Sequence, residues 1–192
     1  MHILTVCSGN ICRSPMAEYL LRQALETQRI SRTDITISSA GILHLQPRPI
    51  DPTCAELLSE DGIDASAFRS TICTPSMVRE ADLVLCFEHE HLDDLLRDAP
   101  LALRHTFLFT DFANLCDSDM QQGGPEGSTA QERLQCLIDD APLMRPLMPR
   151  AEEIPDPHRH DRATYELAHR LIANAAMRIA AAIAPASIPQ HA

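Results

Sequence analysis

Cys7 and Arg13 bracket the run Ser8-Gly9-Asn10-Ile11-Cys12, and Ser14-Pro15 follows directly. Five residues between a thiol and a guanidinium are enough chain to wrap a loop whose backbone N–H groups converge on one point. A helix N-terminus behind that loop adds its partial positive charge. Such a cradle binds an oxyanion. Gly9 and Asn10 are residue types that tolerate the left-handed backbone of a tight loop. The converging donors, the helix dipole and Arg13 together favour thiolate over thiol at Cys7, and the thiolate is the nucleophilic form. Arg13 can fork onto two equatorial oxygens of a phosphoryl group, a contact that strengthens as the group flattens in the transition state. Ser14 can donate its hydroxyl to the sulfur and ease its departure in a second step. A bare Cys-x5-Arg also arises by chance, with the thiol as a small buried filler and the arginine as a surface charge. What separates the two readings is the location of the loop between a strand and a helix.

The elements that must position this loop follow from hydrophobic spacing. Residues 2–6 read as a strand. A helix begins at Ser14 or Pro15 and runs to about Gln28, with Pro in its first turn and Tyr19, Leu20 and Leu25 as an apolar stripe. Residues 35–39 alternate as a second strand. Asp51-Pro52 opens a helix ending at Gly62, and Thr74-Pro75 repeats that start signal. Residues 83–87 form a continuous apolar run suited to a strand buried on both faces; 88–97 read as helix and 105–109 as the last of four strands. Tyr165, Ala168, Ile172, Ala176, Ile179 and Ile183 recur at helical steps over 161–183, and Pro185 stops that helix. This alternation predicts an α/β fold, a parallel sheet with helices on both faces. One domain over residues 1–184 is expected, with a Gly- and Pro-rich insertion at about 117–149. That insertion holds a short helix presenting Leu134, Leu137 and Ile138. A tail follows at 185–192.

Composition narrows the partners. The 192 residues are 45% apolar and 22% charged, enough to bury a core without disulfides or a structural metal. The 27 acidic residues outweigh 16 basic ones, all of them arginine, for a net charge of −11. That field argues against nucleic acid and anionic membranes as partners. No leader or spanning segment is evident, so a cytoplasmic location is expected. Seven cysteines in a reducing compartment read as free thiols. The pairs His89-x-His91 and His158-x-His160 lack zinc-site spacing and read as surface groups, with no metal expected.

The chain resembles the low-molecular-weight protein tyrosine phosphatases. Cys7-Ser8-Gly9-Asn10-Ile11-Cys12-Arg13-Ser14-Pro15 matches the family's loop, Met16-Ala17-Glu18 its following helix, and Ser38-Ser39-Ala40-Gly41 its second-strand ending. The likeness continues through Ala81-Asp82-Leu83-Val84-Leu85-Cys86 to Ile154-Pro155-Asp156-Pro157. The resemblance implies a four-stranded, doubly wound, flavodoxin-like sheet of order 2-1-3-4, with the site at its topological switch point. It also implies cysteinyl-phosphate catalysis without metal or organic cofactor, acting on a phosphotyrosyl protein or small aryl phosphate. A phenolate leaves poorly unless protonated, and the family places the acid in an Asp-Pro loop, which Asp156-Pro157 matches. The loop residues Ser8, Gly9, Asn10, Ile11, Cys12 and Arg13 would bind phosphate, with Asn10 bonding toward Ser39. Cys12 would pair reversibly with an oxidised Cys7.

Where the family carries an aromatic pair after Asp-Pro, this chain has His158 and Arg159, and Arg159 reads either as favouring a more anionic substrate or as a solvated loop arginine. Leu43, His44 and Leu45 are expected on the opposite wall. A rival of the same fold is arsenate reduction, which needs outward-relaying cysteines. Cys86 stands where the first would be, but Asp93 occupies the position seven later. The other rival is a catalytically silent phosphate-binding module.

Overall fold

A computed structural model describes residues 1–185. β1 (His2–Cys7) leads through the Cys-to-Arg loop into α1 (Arg13–Thr27) and β2 (Thr36–Gly41). Next come α2 (Pro52–Glu60), α3 (Pro75–Glu80), β3 (Leu83–Cys86) and α4 (His89–Asp98). A 3-10 segment (Pro100–His105) enters β4 (Thr106–Leu108), and α5 (Phe109–Gln121), α6 (Ala130–Met144) and α7 (Arg162–Ile183) complete the chain. The strands are parallel in the order β2-β1-β3-β4, the doubly wound arrangement expected.

Successive side chains on a strand point to opposite faces, and the buried residues divide accordingly. Ile3 and Cys7 of β1 with Leu83 and Leu85 of β3 face α1, α5, α6 and α7, against Met16, Leu21, Ile172 and Ile179. Leu4, Val6, Val84 and Cys86 face the other way, against Val78, Leu92 and Leu95. Each fully covered Leu or Ile contributes about 1.5–3 kcal/mol. The two layers therefore clamp β1 from both sides and fix the direction of Cys7, its last residue.

Local signals set the helix starts. Asp51 Oδ1 accepts from Thr53 N at 3.0 Å and Thr74 Oγ1 from Met77 N at 3.3 Å, each with Pro at the first helical turn. Gly62 takes φ 77° where the chain leaves α2. All six apolar residues singled out on the last helix are buried. Three expectations need correction. β4 stops at Leu108 because Phe109 already begins α5, and the expected insertion boundary at Asp117 falls inside α5, which runs to Gln121. Residues 130–144 are not a short helix but 15 residues of α6, started by a Thr129/Glu132 capping box. Leu134, Leu137 and Ile138 join the same core as α7, and Arg133 donates through Nε and Nη2 to Ala182 O near the end of α7. The expected tail lies outside the described residues from 186 onward. No helix among the described residues is long and apolar enough to cross a membrane.

Candidate active site

The loop between β1 and α1 opens beside β3, where the chain's crossovers diverge to opposite sides of the sheet. Asn10, not Gly9, takes the left-handed backbone, with φ 51°. Its side chain holds that turn from three directions. Nδ2 donates to Ser14 Oγ at 2.8 Å and to Ser39 Oγ at 2.9 Å, and Oδ1 accepts from Thr71 N at 2.7 Å. With Asn10 1% exposed, the strained conformation is over-determined by its surroundings. Gly41, paired with Cys7 across β1 and β2, supports the loop from beneath. A Cβ there would lie 2.8 Å from Asn10 N and 2.9 Å from Gly9 C, and backbone atoms cannot move aside.

Cys7 Sγ lies 3.0 Å from Ser14 Oγ. Because Asn10 already donates to that oxygen, the hydroxyl proton goes either to the sulfur or to Ala40 O at 3.3 Å. Ser14 is thus set to donate to Cys7 whenever the sulfur is anionic. The start of α1 has no side-chain cap, as is also so for α4 and α5, whereas α2, α3, α6 and α7 each have one. Its first-turn N–H groups are therefore available to an anion.

Arg13 is 1% exposed, and such a charge must be paired. Nη1 meets Glu88 Oε2 at 2.8 Å and donates to Ile154 O at 3.1 Å, while Nη2 lies 3.3 Å from Asp156 Oδ1. Nε is buried without a protein partner among the described residues. Glu88 thus secures one edge of the guanidinium and leaves the Nε–Nη2 edge to take two oxygens of a ligand.

The second support of this network is His91, one of the histidines expected at the surface. It is 3% exposed. Nε2 lies 2.8 Å from Ser8 Oγ and 3.2 Å from Glu88 Oε2. Burial first, and then the Arg13 charge, push its pKa down from 6.5 to about 4, so the ring is neutral at pH 7. The folded state binds this proton less readily than the unfolded one, so the unfolded chain carries more protons between those values. Stability should therefore fall as pH drops from 6.5 toward 4, by on the order of 2 kcal/mol from this group. His91→Gln should lack that component, which urea midpoints of both proteins at pH 7 and pH 4.5 will reveal. Equal losses in the two would assign the acid sensitivity elsewhere.

Asp156 reaches the loop from the far side of the chain. Its Oδ1 accepts from His158 N at 3.3 Å, and Pro155 and Pro157 flank it. A cleft of about 390 Å³ is lined by Cys7, Ser8, Gly9, Ile11, Cys12, Arg13, Leu43, Leu45, Arg48, Asp156, His158 and Arg159. His44 is the correction here. It lines a separate cleft of about 340 Å³ with Ile42, Cys73 and Val78, because Leu43 and Leu45 take the inner side of an extended segment. Arg48, absent from the expected wall, joins Arg13 and Arg159 to give the cleft three cations in a chain of net charge −11. Glu88, His91 and Arg48 were missed because they bear no motif; Glu88 and His91 stand near the end of β3, beside β1, and that adjacency was the one available signal.

The sulfurs of Cys12 and Cys54 and a carboxylate oxygen of Asp51 lie within 4.8 Å of one another. Three such donors fall short of a tetrahedral metal set. The carboxylate is also committed, capping α2 through Oδ1 and accepting from Tyr165 Oη at 3.3 Å through Oδ2. The Cys54 side chain and burial push the Cys12 thiol strongly upward, so Cys12 is a thiol at neutral pH.

The family model described as low molecular weight phosphotyrosine protein phosphatase matches residues 2–133. A probable low molecular weight protein-tyrosine-phosphatase EpsP of Ralstonia solanacearum is 48% identical over 83 residues, covering 43% of this chain and 52% of that protein. The match thus spans about half of that relative. The Escherichia coli protein Etp, a low molecular weight protein-tyrosine-phosphatase, is 36% identical over 107 residues, covering 56% of this chain and 68% of its own. Among solved structures, Vibrio vulnificus Wzb in complex with benzylphosphonate superposes with a TM-score of 0.66 at 28% identity. That superposition covers 94% of this chain and 97% of Wzb.

Proposed function

The chain belongs to the low molecular weight phosphotyrosine protein phosphatase family, and on that premise we propose that it hydrolyses aryl phosphate monoesters, phosphotyrosyl proteins first among them, through a cysteinyl-phosphate intermediate. The single observation that carries this reading is Cys7 Sγ held 3.0 Å from Ser14 Oγ at the mouth of an uncapped helix, with the Nε–Nη2 edge of Arg13 in the same cleft.

In this reading the phosphoryl dianion settles on the loop N–H groups of residues 8–13 and on Nε and Nη2 of Arg13, displacing the Asp156 carboxyl from its 3.3 Å contact. The Cys7 thiolate forms the S–P bond as the bond to the ester oxygen breaks, and Asp156 supplies that oxygen with a proton. Asp156, now a carboxylate, then takes a proton from the water that attacks phosphorus. The Cys7 sulfur leaves as thiolate, eased by the Ser14 hydroxyl. Inorganic phosphate and a phenol are the products. Loop donors and Arg13 stabilise charge that builds on the equatorial oxygens, which is the largest single contribution expected of such a site.

Ile11, Leu43 and Leu45 supply apolar cover for an aryl ring, and Arg48 and Arg159 supply cations around it. Arsenate reduction is not favoured. Cys86 is wholly buried in β3, its Sγ 3.5 Å from Phe107 O, and it does not line the cleft. A reducing, cytoplasmic setting would keep the seven cysteines as the free thiols seen here. We read residues 1–184 as one working unit, because α5, α6 and α7 share the core that seats Cys7.

The test is steady-state turnover of p-nitrophenyl phosphate, a phosphotyrosyl peptide and the phosphoseryl peptide of the same sequence. Phosphotyrosyl turnover should exceed phosphoseryl by on the order of 10²-fold or more in kcat/KM. Equal rates would refute an aryl phosphate specificity, and no turnover of any ester would refute the hydrolase reading.

A further inference from the structure

Cys54 has no part in the chemistry above, yet it is wholly buried against a thiol of the phosphate-binding loop. The contact is built by two elements. Asp51 N donates to Ile11 O at 2.8 Å, which ties the start of α2 to the loop. Cys54 then follows Asp51 by three residues, on the same face of α2. The result places the Cys12 and Cys54 sulfurs and the Asp51 carboxylate within 4.8 Å of one another, with Cys12 3% and Cys54 0% exposed. Cys12 and Cys7 line one cleft. Cys12 thus shares the cleft with Cys7 and a close contact with the wholly buried Cys54.

We propose that Cys54 is the terminal thiol of an oxidation relay that carries a disulfide from Cys7 through Cys12 into the interior and so returns Cys7 to its thiolate. The inference rests on Cys7 being the nucleophile of the reading above. Hydrogen peroxide is the oxidant. The Cys7 thiolate attacks the peroxide O–O bond, giving Cys7 sulfenic acid and hydroxide. The Cys12 sulfur displaces the sulfenic oxygen as water and forms the Cys7–Cys12 disulfide. The Cys54 thiol gives its proton to the Asp51 carboxylate as its sulfur attacks Cys12. The Cys7–Cys12 bond breaks and Cys7 departs as thiolate. In sum, one peroxide is reduced to two waters, and the thiols of Cys12 and Cys54 supply both electrons and both protons.

Two physical arguments set the direction. Exchange runs toward the disulfide whose formation expels the better-stabilised thiolate, and of these three sulfurs it is Cys7 that lies 3.0 Å from the Ser14 hydroxyl, which can donate to it. Cys54 is wholly buried and does not line the cleft, so the exchange moves one end of the oxidised bond off the nucleophile and into the interior. Cys12 alone would lock Cys7 in a disulfide; with Cys54 behind it, the enzyme absorbs one peroxide and stays active.

Peptide mapping separates these outcomes. The chain has no lysine, so trypsin leaves Cys7 and Cys12 together in residues 1–13 and Cys54 in residues 33–69, the bond before Pro49 resisting cleavage. The full chain is treated with one equivalent of hydrogen peroxide in the presence of a chelator, blocked with iodoacetamide and digested without reductant. The wild type should yield the 1–13 peptide cross-linked through Cys12 to 33–69, with Cys7 alkylated. Cys54→Ala, with unchanged turnover before peroxide, should yield the internal Cys7–Cys12 loop and retain about tenfold less activity after treatment than wild type. A wild type carrying the internal Cys7–Cys12 disulfide, or one that loses as much activity as Cys54→Ala, overturns the relay. If Cys54→Ala does not fold, the wild-type map decides alone. Mapping needs no turnover, so a chain that forms the Cys12–Cys54 link but hydrolyses no ester would refute the phosphatase reading and leave the relay standing.

Discussion

Cys7→Ser should retain less than about one ten-thousandth of wild-type turnover of p-nitrophenyl phosphate. Serine is nearly isosteric with cysteine, and Asn10, Arg13 and Gly41, which shape the loop, are untouched. The substitution therefore replaces a sulfur nucleophile by a hydroxyl without removing the anion cradle. Among the described residues no carboxylate or imidazole hydrogen-bonds the side chain at position 7 to activate that hydroxyl: its hydrogen-bond neighbour is the Ser14 hydroxyl, held by Asn10 and Ala40. Binding should survive where turnover does not. Inorganic phosphate should still protect the variant against thermal unfolding, by RT ln(1 + [L]/Kd), which is about 2.7 kcal/mol at a hundredfold excess over Kd. The measurements are kcat on p-nitrophenyl phosphate and thermal midpoints with and without phosphate. Turnover within tenfold of wild type would remove Cys7 from the mechanism, and loss of phosphate protection would mean that the loop itself had collapsed.

Asp156→Ala should lower kcat by on the order of 10²–10³-fold for phenyl phosphate, the usual scale for removing a positioned general acid. The loss should shrink for 2,4-dinitrophenyl phosphate, whose phenolate leaves without a proton. Hydrolysis of the phospho-enzyme also needs Asp156 as base, so the activated ester should show a burst followed by slow turnover. The structure adds a second expectation. Asp156 Oδ1 lies 3.3 Å from Arg13 Nη2, so its carboxylate competes with any anion for that edge of the guanidinium. Removing it should tighten competitive inhibition by inorganic phosphate severalfold while kcat falls. A loss of equal size for both leaving groups would show that Asp156 positions the loop and donates no proton. Weaker phosphate binding would show that its contact with Arg13 orders the site.

The loop was legible because its chemistry is contiguous. Residues 7–15 lie on one short stretch, and strand, loop and helix N-terminus follow in that order along the chain. Asp51-Pro52 and Thr74-Pro75 were legible for the same reason, since a cap is made by neighbours two or three residues apart. What the chain order concealed is how Arg13 is held. Glu88 and His91 follow β3, far along the chain from Arg13, and the pairing of β1 with β3 brings Glu88 to the guanidinium and His91 to Ser8 and Glu88. Sequence spacing on its own sent His91 to the surface. A residue just inside a helix that starts at the end of a central strand is instead buried against the neighbouring strand's loop.

His44 shows the opposite limit. In an extended segment alternate side chains diverge, so three consecutive residues cannot share one wall, and which of them turned inward depended on the packing of α3 and α4. By itself the sequence determined the nucleophile, the anion loop, the helix starts and the two-sided sheet, since each is encoded by nearby residues or by the period of apolar positions. Tertiary structure alone decided the Glu88 and His91 support, the entry of Arg48 into the cleft, and the contact of Cys12 with Cys54. Those groups stand tens of residues apart, and no local period records a meeting that exists only once both cores have closed on the sheet.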